Sequence, residues 1–186
     1  MEPSDILTKE RIISALGILN QRLTEKGVTG ELCIFGGATM ILAFDAREST
    51  RDVDAVFVPK TEIYQAAEQI AEEMNLPISW LNDGVKGFIS SEGEVTSDGM
   101  PQWDNLRILR PTTKYLLAMK CMAARVSTYE TAGDKDDIIH LCQSLGIETA
   151  SEVLDIVEDY YPTSRIQAKT QFFIEEIISE MKGEKE

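Results

Sequence analysis

The chain contains little of the chemistry on which many enzyme classes depend. It has one histidine and three widely spaced cysteines among 186 residues. Clustered zinc ligands and Ser-His-Asp or Cys-His catalytic groups are therefore excluded. The lone His140 predicts a helix-surface or packing role. The three cysteines lie in apolar segments, which predicts buried free thiols in a reducing cytoplasm.

Long apolar runs and an excess of positive charge are also missing. No stretch is long enough to cross a bilayer, and the N-terminus lacks the basic and apolar segments of a signal peptide, so we expect a cytoplasmic protein with no membrane partner. The chain has 18 Lys and Arg residues and 32 Asp and Glu residues, which gives a net charge of -14. This balance argues against non-specific nucleic-acid binding but permits a local basic pocket in the middle third of the chain.

Hydrophobic periodicity predicts a mixed first half and a helical second half. We expect an α+β fold with a small mixed sheet over residues 1–110 and a helical bundle over residues 111–186 packed on it. The irregular, polar composition of residues 79–104 predicts a loop with at most a short strand. The predicted strands are Leu32–Phe35, Asp52–Val58 and Asn105–Leu109. The predicted helices are Ser4–Lys26 (Ser4 as N-cap), Ala38–Phe44, Thr61–Met74, Thr113–Tyr129, Asp134–Leu145, Ala150–Tyr160 and Ser164–Lys182.

Two neighbouring motifs carry the strongest functional signal. Gly36 and Gly37 follow an apolar strand, and Asp52 and Asp54 begin the next one. Side chains alternate along a strand, so the two carboxylates point to the same side. We expect this strand to be buried on both faces. Two like charges beside a core are costly unless a cation or a basic group lies with them.

These residue types suit a site for Mg²⁺ and a nucleotide. Hard carboxylate oxygens are the ligands that Mg²⁺ prefers. A glycine turn lets phosphates approach backbone N–H groups closely, and the following helix adds its partial positive charge. The Thr39 hydroxyl is a candidate hydrogen-bond donor to the same phosphates.

The order of these motifs resembles the nucleotidyltransferase superfamily with the DNA polymerase beta-like fold. Its signature is Gly-Gly at a strand end and Asp-x-Asp on the next strand, matched here by Gly36-Gly37 and Asp52-Val53-Asp54. Thr50–Asp54, Lys120–Ala123 and Asp134–Ile138 are similar to segments of bacterial members related to AbiEii-type toxins. Trp80–Asp83 resembles a local signature of an uncharacterised branch of that group. The resemblance covers residues 32–145.

The resemblance implies transfer of a nucleoside monophosphate from an NTP, with Mg²⁺, to an RNA, protein or small-molecule acceptor. It also implies a possible cognate toxin or antitoxin protein. A third carboxylate usually acts as base or metal ligand, and Asp104, before the third strand, is the candidate. Arg51 and Arg125 could contact phosphates.

Several alternatives stay open at this stage. Lys120 and Asp137 could form an ion pair between packed helices, or Lys120 could face the triphosphate with Asp137 orienting it; the two are compatible. The whole chain could be a catalytically inactive binding or regulatory protein with the same fold. In a third reading, the acidic pair is salt-bridged to Arg51 or Arg47 in a plain structural domain.

Overall fold

A computed structural model describes residues 6–124 and 131–183, and over these residues the chain is a mixed α+β protein, as predicted. The helices in these ranges are α1 (Lys9–Glu25), α2 (Gly36–Phe44), α3 (Lys60–Met74), α4 (Thr113–Ala123), α5 (Thr131–Leu145), α6 (Ala150–Tyr160) and α7 (Ala168–Gly183). The strands are β1 (Leu7–Thr8), β2 (Gly30–Ile34), β3 (Ser49–Thr50), β4 (Val53–Val58), β5 (Leu81–Asn82), β6 (Val95–Thr96) and β7 (Leu106–Pro111).

The described residues divide into two compact units. The first, called the sheet unit, comprises the residues up to 87 together with 95–110. The second, called the helical unit, comprises residues 88–94 and those from 111 onward, and it contains α4 to α7. Residues 88–94 lie within the segment predicted as a loop, and no sequence signal linked them to the helices.

A five-stranded mixed sheet organises the sheet unit. Its strand order is β5-β4-β2-β7-β6, and a separate two-stranded sheet joins β1 to β3. The central strand β2 runs antiparallel to β4 and parallel to β7, and β4 runs parallel to β5. The end of β2 and the start of β4 therefore meet at the same edge, because Ile34 pairs with Ala55.

One face of this sheet forms the hydrophobic core. Leu32 pairs with Phe57 and with Ile108, and all three side chains are almost fully buried. Apolar stripes of α1 and α3 belong to the same core cluster. Its members on these two helices include Ile12, Leu16, Leu19, Leu23, Ile63, Ala66, Ala67 and Ile70.

The other face of the sheet, called here the Asp face, is less buried. It carries Asp54, Val56 and Val58 on β4, whose neighbours on β2 and β7 include Cys33 and Leu109. Val56 is half-buried and Val58 is 60% exposed. The prediction that β4 is buried on both faces was therefore wrong; its core face alone is closed.

Several predicted boundaries also need correction. Helix α1 begins at Lys9 with Thr8 as its N-cap, where we predicted a start near Ser4, which lies outside the described residues. Helix α2 starts at Gly36, two residues before the predicted Ala38, so the glycines form its first turn. The short strands β1, β3, β5 and β6 were not individually predicted, because two residues are too few for a periodic pattern.

The helical unit is built from α4 to α7. Helix α4 packs against α5 and α6, and α7 packs against α5 and α6. Helix α6 spans the predicted residues and begins with a capping box, in which Thr149 accepts from the Glu152 N–H and the Glu152 carboxylate accepts from the Thr149 N–H. Helix α4 ends at Ala123; the predicted extension to Tyr129 falls mostly on residues outside the described ranges. None of the described helices is long and apolar enough to cross a membrane.

Candidate functional site

The glycine corner, Gly36-Gly37, lies where β2 runs into α2. Gly36 has a φ of 63°, in the left-handed region that favours glycine. The N-cap residue Phe35 is extended and provides no side-chain cap. The first N–H groups of an α-helix have no partner within the helix. The corner therefore presents backbone donors at the positive end of α2.

The carboxylate of Asp54 lies against this corner. A Cβ atom placed on Gly36 would be 3.2 Å from Oδ2 of Asp54. The backbone holds the two segments together, because the Phe35 N–H donates to the Asp54 carbonyl oxygen at 2.8 Å. Strand β4 thus delivers one predicted acid directly to the N-terminus of α2, as the nucleotide-site hypothesis requires.

Asp52 lies one step earlier on the same side and is held by β5. Its Oδ2 accepts a hydrogen bond from Nδ2 of Asn82 at 3.2 Å. Asn82 is the register partner of Asp54, so its side chain shares the Asp face with both acids. Both aspartates are half-buried. Asn82 had no predicted role of its own, although it lies in the Trp80–Asp83 segment that resembles a family signature.

Thr39 does not have the predicted role. Its side chain is fully buried, and its hydroxyl donates to the Ile34 carbonyl oxygen at 2.7 Å. A hydroxyl hydrogen that ties α2 back to the end of β2 is not presented to a phosphate. Because α2 begins two residues earlier than predicted, Thr39 falls on the core side of the first turn instead of at its open end.

Asp104 is also misplaced as a third metal ligand. It lies in a tight turn between Trp103 and Leu106, and the Gly30 N–H donates to the Asn105 carbonyl oxygen of that turn at 2.8 Å. Strand β2 runs from Gly30 toward the glycine corner, a distance of about 13 Å at about 3.3 Å per residue. The turn therefore lies at the opposite end of the sheet from Asp52 and Asp54.

No other acid of the described strands takes that third place. On β7 the residues that share the Asp face are Arg107, paired with Glu31, and Leu109, paired with Cys33. Arg107 and Glu31 form a salt bridge of 3.1 Å. Within residues 6–124 and 131–183, no group of three or more His, Cys, Asp and Glu side chains is arranged to hold a metal ion.

Arg47 is a cation at the glycine corner that sequence reasoning considered only as a partner of the acids. A Cβ on Gly37 would lie 2.8 Å from Nη1 of Arg47 and 2.8 Å from Oγ1 of Thr50. The guanidinium and the hydroxyl thus lie against the Gly37 backbone. The left-handed residue Asp45, with a φ of 53°, ends α2 just before this segment. Arg51, the predicted phosphate contact, is exposed, and Arg125 lies outside the described residues.

Lys120 and Asp137 form the ion pair that was one of the two predicted alternatives. Nζ of Lys120 lies 2.6 Å from Oδ2 of Asp137 and 3.2 Å from Oδ1 of Asp134. The Lys120 side chain is 9% exposed and that of Asp137 is 1% exposed. All three residues belong to α4 and α5 of the helical unit. The ion pair is confirmed, and the catalytic role of Lys120 and Asp137 stays a prediction.

Trp80 is a core residue. Its side chain is fully buried, and its Nε1–H donates to the Ala67 carbonyl oxygen of α3 at 3.0 Å. A fully buried indole of this kind has a packing role in the core. The Val53 N–H in turn donates to the Trp80 carbonyl oxygen at 2.6 Å, which fixes the start of β5 beside the start of β4.

No protein-family model, no curated protein and no solved structure matches this chain. The resemblance to nucleotidyltransferases therefore rests on the motifs and stays a prediction.

Proposed function

We propose that this protein is a Mg²⁺-dependent nucleotidyltransferase that transfers a nucleoside monophosphate from an NTP to an acceptor hydroxyl. One observation carries the proposal. The Asp54 carboxylate contacts Gly36 at the N-terminus of α2, with Asp52 on the same side of the chain. Groups that bind phosphate and groups that bind a divalent cation thus meet within one corner of the sheet unit.

The residues at this corner fit Mg²⁺. Asp52 and Asp54 supply hard oxygen ligands, and the close approach of Gly36 leaves no Cβ between the Asp54 carboxylate and the helix N-terminus. When bound there, Mg²⁺ would neutralise phosphate charge and polarise the reacting phosphoryl group. The half-buried position of both aspartates strengthens their electrostatic interactions relative to those of fully exposed carboxylates.

The remaining groups of the corner would bind and orient the substrate. The N–H groups at Gly36 and Gly37 would donate to the β- and γ-phosphate oxygens. Arg47, whose guanidinium lies against Gly37, would add positive charge on the same side. In the reaction the acceptor oxygen forms a bond to the α-phosphorus, the bond between that phosphorus and the α–β bridging oxygen breaks, and pyrophosphate leaves. The hydroxyl proton of the acceptor passes to solvent water.

The acceptor class is left open among RNA, protein and small molecules. The net charge of -14 disfavours a long nucleic-acid footprint, which leaves a short RNA end, a protein hydroxyl or a small molecule. Cys33, Cys121 and Cys142 are buried free thiols, which supports a cytoplasmic location. A toxin–antitoxin or phage-defence role, with a cognate partner protein, is part of the proposal through the motif resemblance alone.

Label transfer from NTPs tests the proposal. The full chain is incubated with each α-³²P-labelled NTP, Mg²⁺ and cell extract, and RNA, protein and small-molecule fractions are then separated. We expect transfer that EDTA abolishes and that Asp52→Ala and Asp54→Ala reduce on the order of 100-fold or more, since metal-assisted charge stabilisation is worth several kcal/mol. Asp104→Ala, at the far end of the sheet, is the matched control and should transfer like wild type. Transfer that survives both substitutions at the acidic pair would refute the site.

A second candidate is a nucleotidyltransferase-fold protein that binds nucleotide without transferring it. The position of Arg107 and Leu109 on β7 favours it, because among the described residues of the Asp face the remaining carboxylate, Glu31, pairs with Arg107 away from Asp52 and Asp54. Mg²⁺-dependent stabilisation by an NTP, lost in Asp54→Ala, without transfer to any fraction would support this candidate over the enzyme.

A further inference from the structure

We propose that Asn82 is a positioning residue that orients Asp52 for divalent-cation binding. The inference rests on the proposed function, because it assigns a task to a residue beside the proposed metal ligands. Asn82 lies on β5, directly opposite Asp54 in the parallel pairing of β4 with β5. It is half-buried on the Asp face, within reach of both acids.

The side-chain amide of Asn82 has its orientation fixed from both ends. Its Oδ1 accepts a hydrogen bond from the Gly84 N–H at 2.9 Å, the local turn typical of asparagine. An Oδ1 atom that accepts from the backbone leaves Nδ2 to face the opposite way. There Nδ2 donates to Oδ2 of Asp52 at 3.2 Å. Swapping the amide oxygen and nitrogen would set donor against donor at Gly84 and acceptor against acceptor at Asp52.

The turn that holds Asn82 is itself tightly built. A Cβ on Gly84 would lie 3.1 Å from Oδ1 of Asn82, a close approach that glycine alone allows without displacement. The next residue, Asp83, forms salt bridges with Lys60 of α3 and with Lys86. The donor to Asp52 therefore extends from a segment braced on both sides by hydrogen bonds and ion pairs.

The hydrogen bond from Asn82 fixes the orientation of the Asp52 carboxylate group. Asn82 occupies one oxygen, Oδ2, and leaves Oδ1 as the atom available to a cation. A hydrogen bond donated to a ligating carboxylate orients it, and the loss of such a bond typically weakens metal affinity about 10-fold to 100-fold. Asp52 precedes the first residue of β4, so no strand pairing of its own fixes its direction. The Asn82 amide supplies that constraint.

Two substitutions at Asn82 separate positioning from simple support of the turn. Asn82→Ser keeps an oxygen that can accept from the Gly84 N–H, but its shorter side chain withdraws the donor from Asp52. Asn82→Ala removes both. We expect both variants to bind Mn²⁺ about 10-fold more weakly than wild type, and Asn82→Ser to retain the wild-type Tm without metal. If Asn82 only supported the turn, Mn²⁺ binding would be unchanged in both variants, and a lowered Tm in Asn82→Ala would be the only effect.

The experiment titrates the full-length chain with Mn²⁺ and follows the free ion by electron paramagnetic resonance, with and without a non-hydrolysable NTP analogue. The matched control is Asn105→Ser, which removes a 2.7 Å hydrogen bond to Thr24 at the opposite end of the sheet and should bind Mn²⁺ like wild type. If Asp54→Asn abolishes binding while Asn82→Ser and Asn82→Ala bind like wild type, the Asn82 role is overturned and the proposed function stands. If wild type binds no Mn²⁺ with or without the NTP analogue, the proposed function is refuted, and the role of Asn82 is refuted with it.

Discussion

The sheet unit and the helical unit each place two aspartates close together, and the groups that surround the two pairs differ. In the helical unit, Lys120 lies within 3.2 Å of both Asp134 and Asp137 and is almost fully buried with Asp137. In the sheet unit, Asp52 and Asp54 are half-buried at the uncapped N-terminus of a helix, with an amide donor to one of them.

The charges of the helical unit are buried together within the protein, whereas those of the sheet unit lie at a partly exposed corner, where we propose that a metal ion binds. A lysine ammonium inserted between two carboxylates completes the cluster within the protein, so its removal should damage folding. In the sheet unit the two acids are half-buried beside the Gly36 backbone and the Asn82 amide, and the Arg47 guanidinium lies against the same corner. Such an arrangement suits a bound cation and an anionic substrate, so its disruption should damage binding more than folding.

The largest expected effect is on folding, from Lys120→Met. The substitution leaves the carboxylate of Asp137, which is 1% exposed, without its ammonium partner. Breaking a buried ion pair on one side costs about 3–5 kcal/mol. We expect urea unfolding to show a loss of that size. Lys120→Met combined with Asp137→Leu should recover most of it, because the buried charge is then removed as well. An unchanged urea midpoint in the single variant would show that the contacts of Lys120 with Asp134 and Asp137 do not stabilise the fold.

Asp52→Asn provides the counterpart in the same unfolding assay. The residue is half-buried, keeps an oxygen that can accept from Asn82, and loses one of two neighbouring like charges. We expect stability without metal to change by less than about 1 kcal/mol, the range usual for solvent-accessible charges. A loss as large as that of Lys120→Met would remove the distinction between the two acid pairs.

Sequence reasoning identified what local pattern and short-range chemistry determine. The alternation along β4 placed Asp52 and Asp54 on one side, and one of the two alternatives for Lys120 paired it with Asp137; the structure agrees with both. The roles predicted for Asp104 and Thr39 disagree with the structure for a common reason. Each role depended on where a segment lies relative to a distant one, Asp104 through the parallel pairing of β7 with β2 and Thr39 through the early start of α2.

Asn82, which sequence reasoning missed, and Arg47, which it considered only as a partner of the acids, depend on the same long-range geometry. Asn82 reaches Asp52 because two residues of β5 pair with the start of β4, and a two-residue strand has no periodic signal. Arg47 reaches Gly37 because the chain turns back after Asp45 in a left-handed conformation. Aspartate is one of the few non-glycine residues that adopt this conformation readily, which gives a weak signal that the sequence did carry.

An intermediate effect is expected from a pair of glycine substitutions. Gly36 and Gly27 have similar positive φ values, 63° and 64°, so Gly36→Ala and Gly27→Ala should each cost about 1–2 kcal/mol of backbone strain. A Cβ at Gly27 meets nothing within 4 Å, whereas one at Gly36 lies 3.2 Å from the Asp54 carboxylate. We expect similar losses of Tm but a decrease in transfer rate on the order of 10-fold in Gly36→Ala alone, since small misplacements at a reacting centre are costly. Equal activities of the two variants would mean that the Gly36 contact with Asp54 has no catalytic importance.

The smallest effect is expected at Asp83, where two lysines surround one carboxylate. Hydrogen bonds from Lys86 and then Lys60 lower the pKa of Asp83 from 3.8 to about 2, and Tyr64 also donates to it. A lowered folded-state pKa means that the stabilising contribution is present above pH 3.8 and is lost as the pH falls toward 2. The stability difference between wild type and Asp83→Asn should therefore be present at pH 6, be mostly lost at pH 2 and vanish below it. Added salt should shrink it at pH 6 because the groups are solvent-accessible. Guanidinium chloride would itself screen the pair, so urea unfolding at the two pH values is the measurement. A difference that persisted unchanged at pH 2 would mean that Asp83 acts through packing, and the bracing of Asn82 would then be assigned to the Gly84 turn alone.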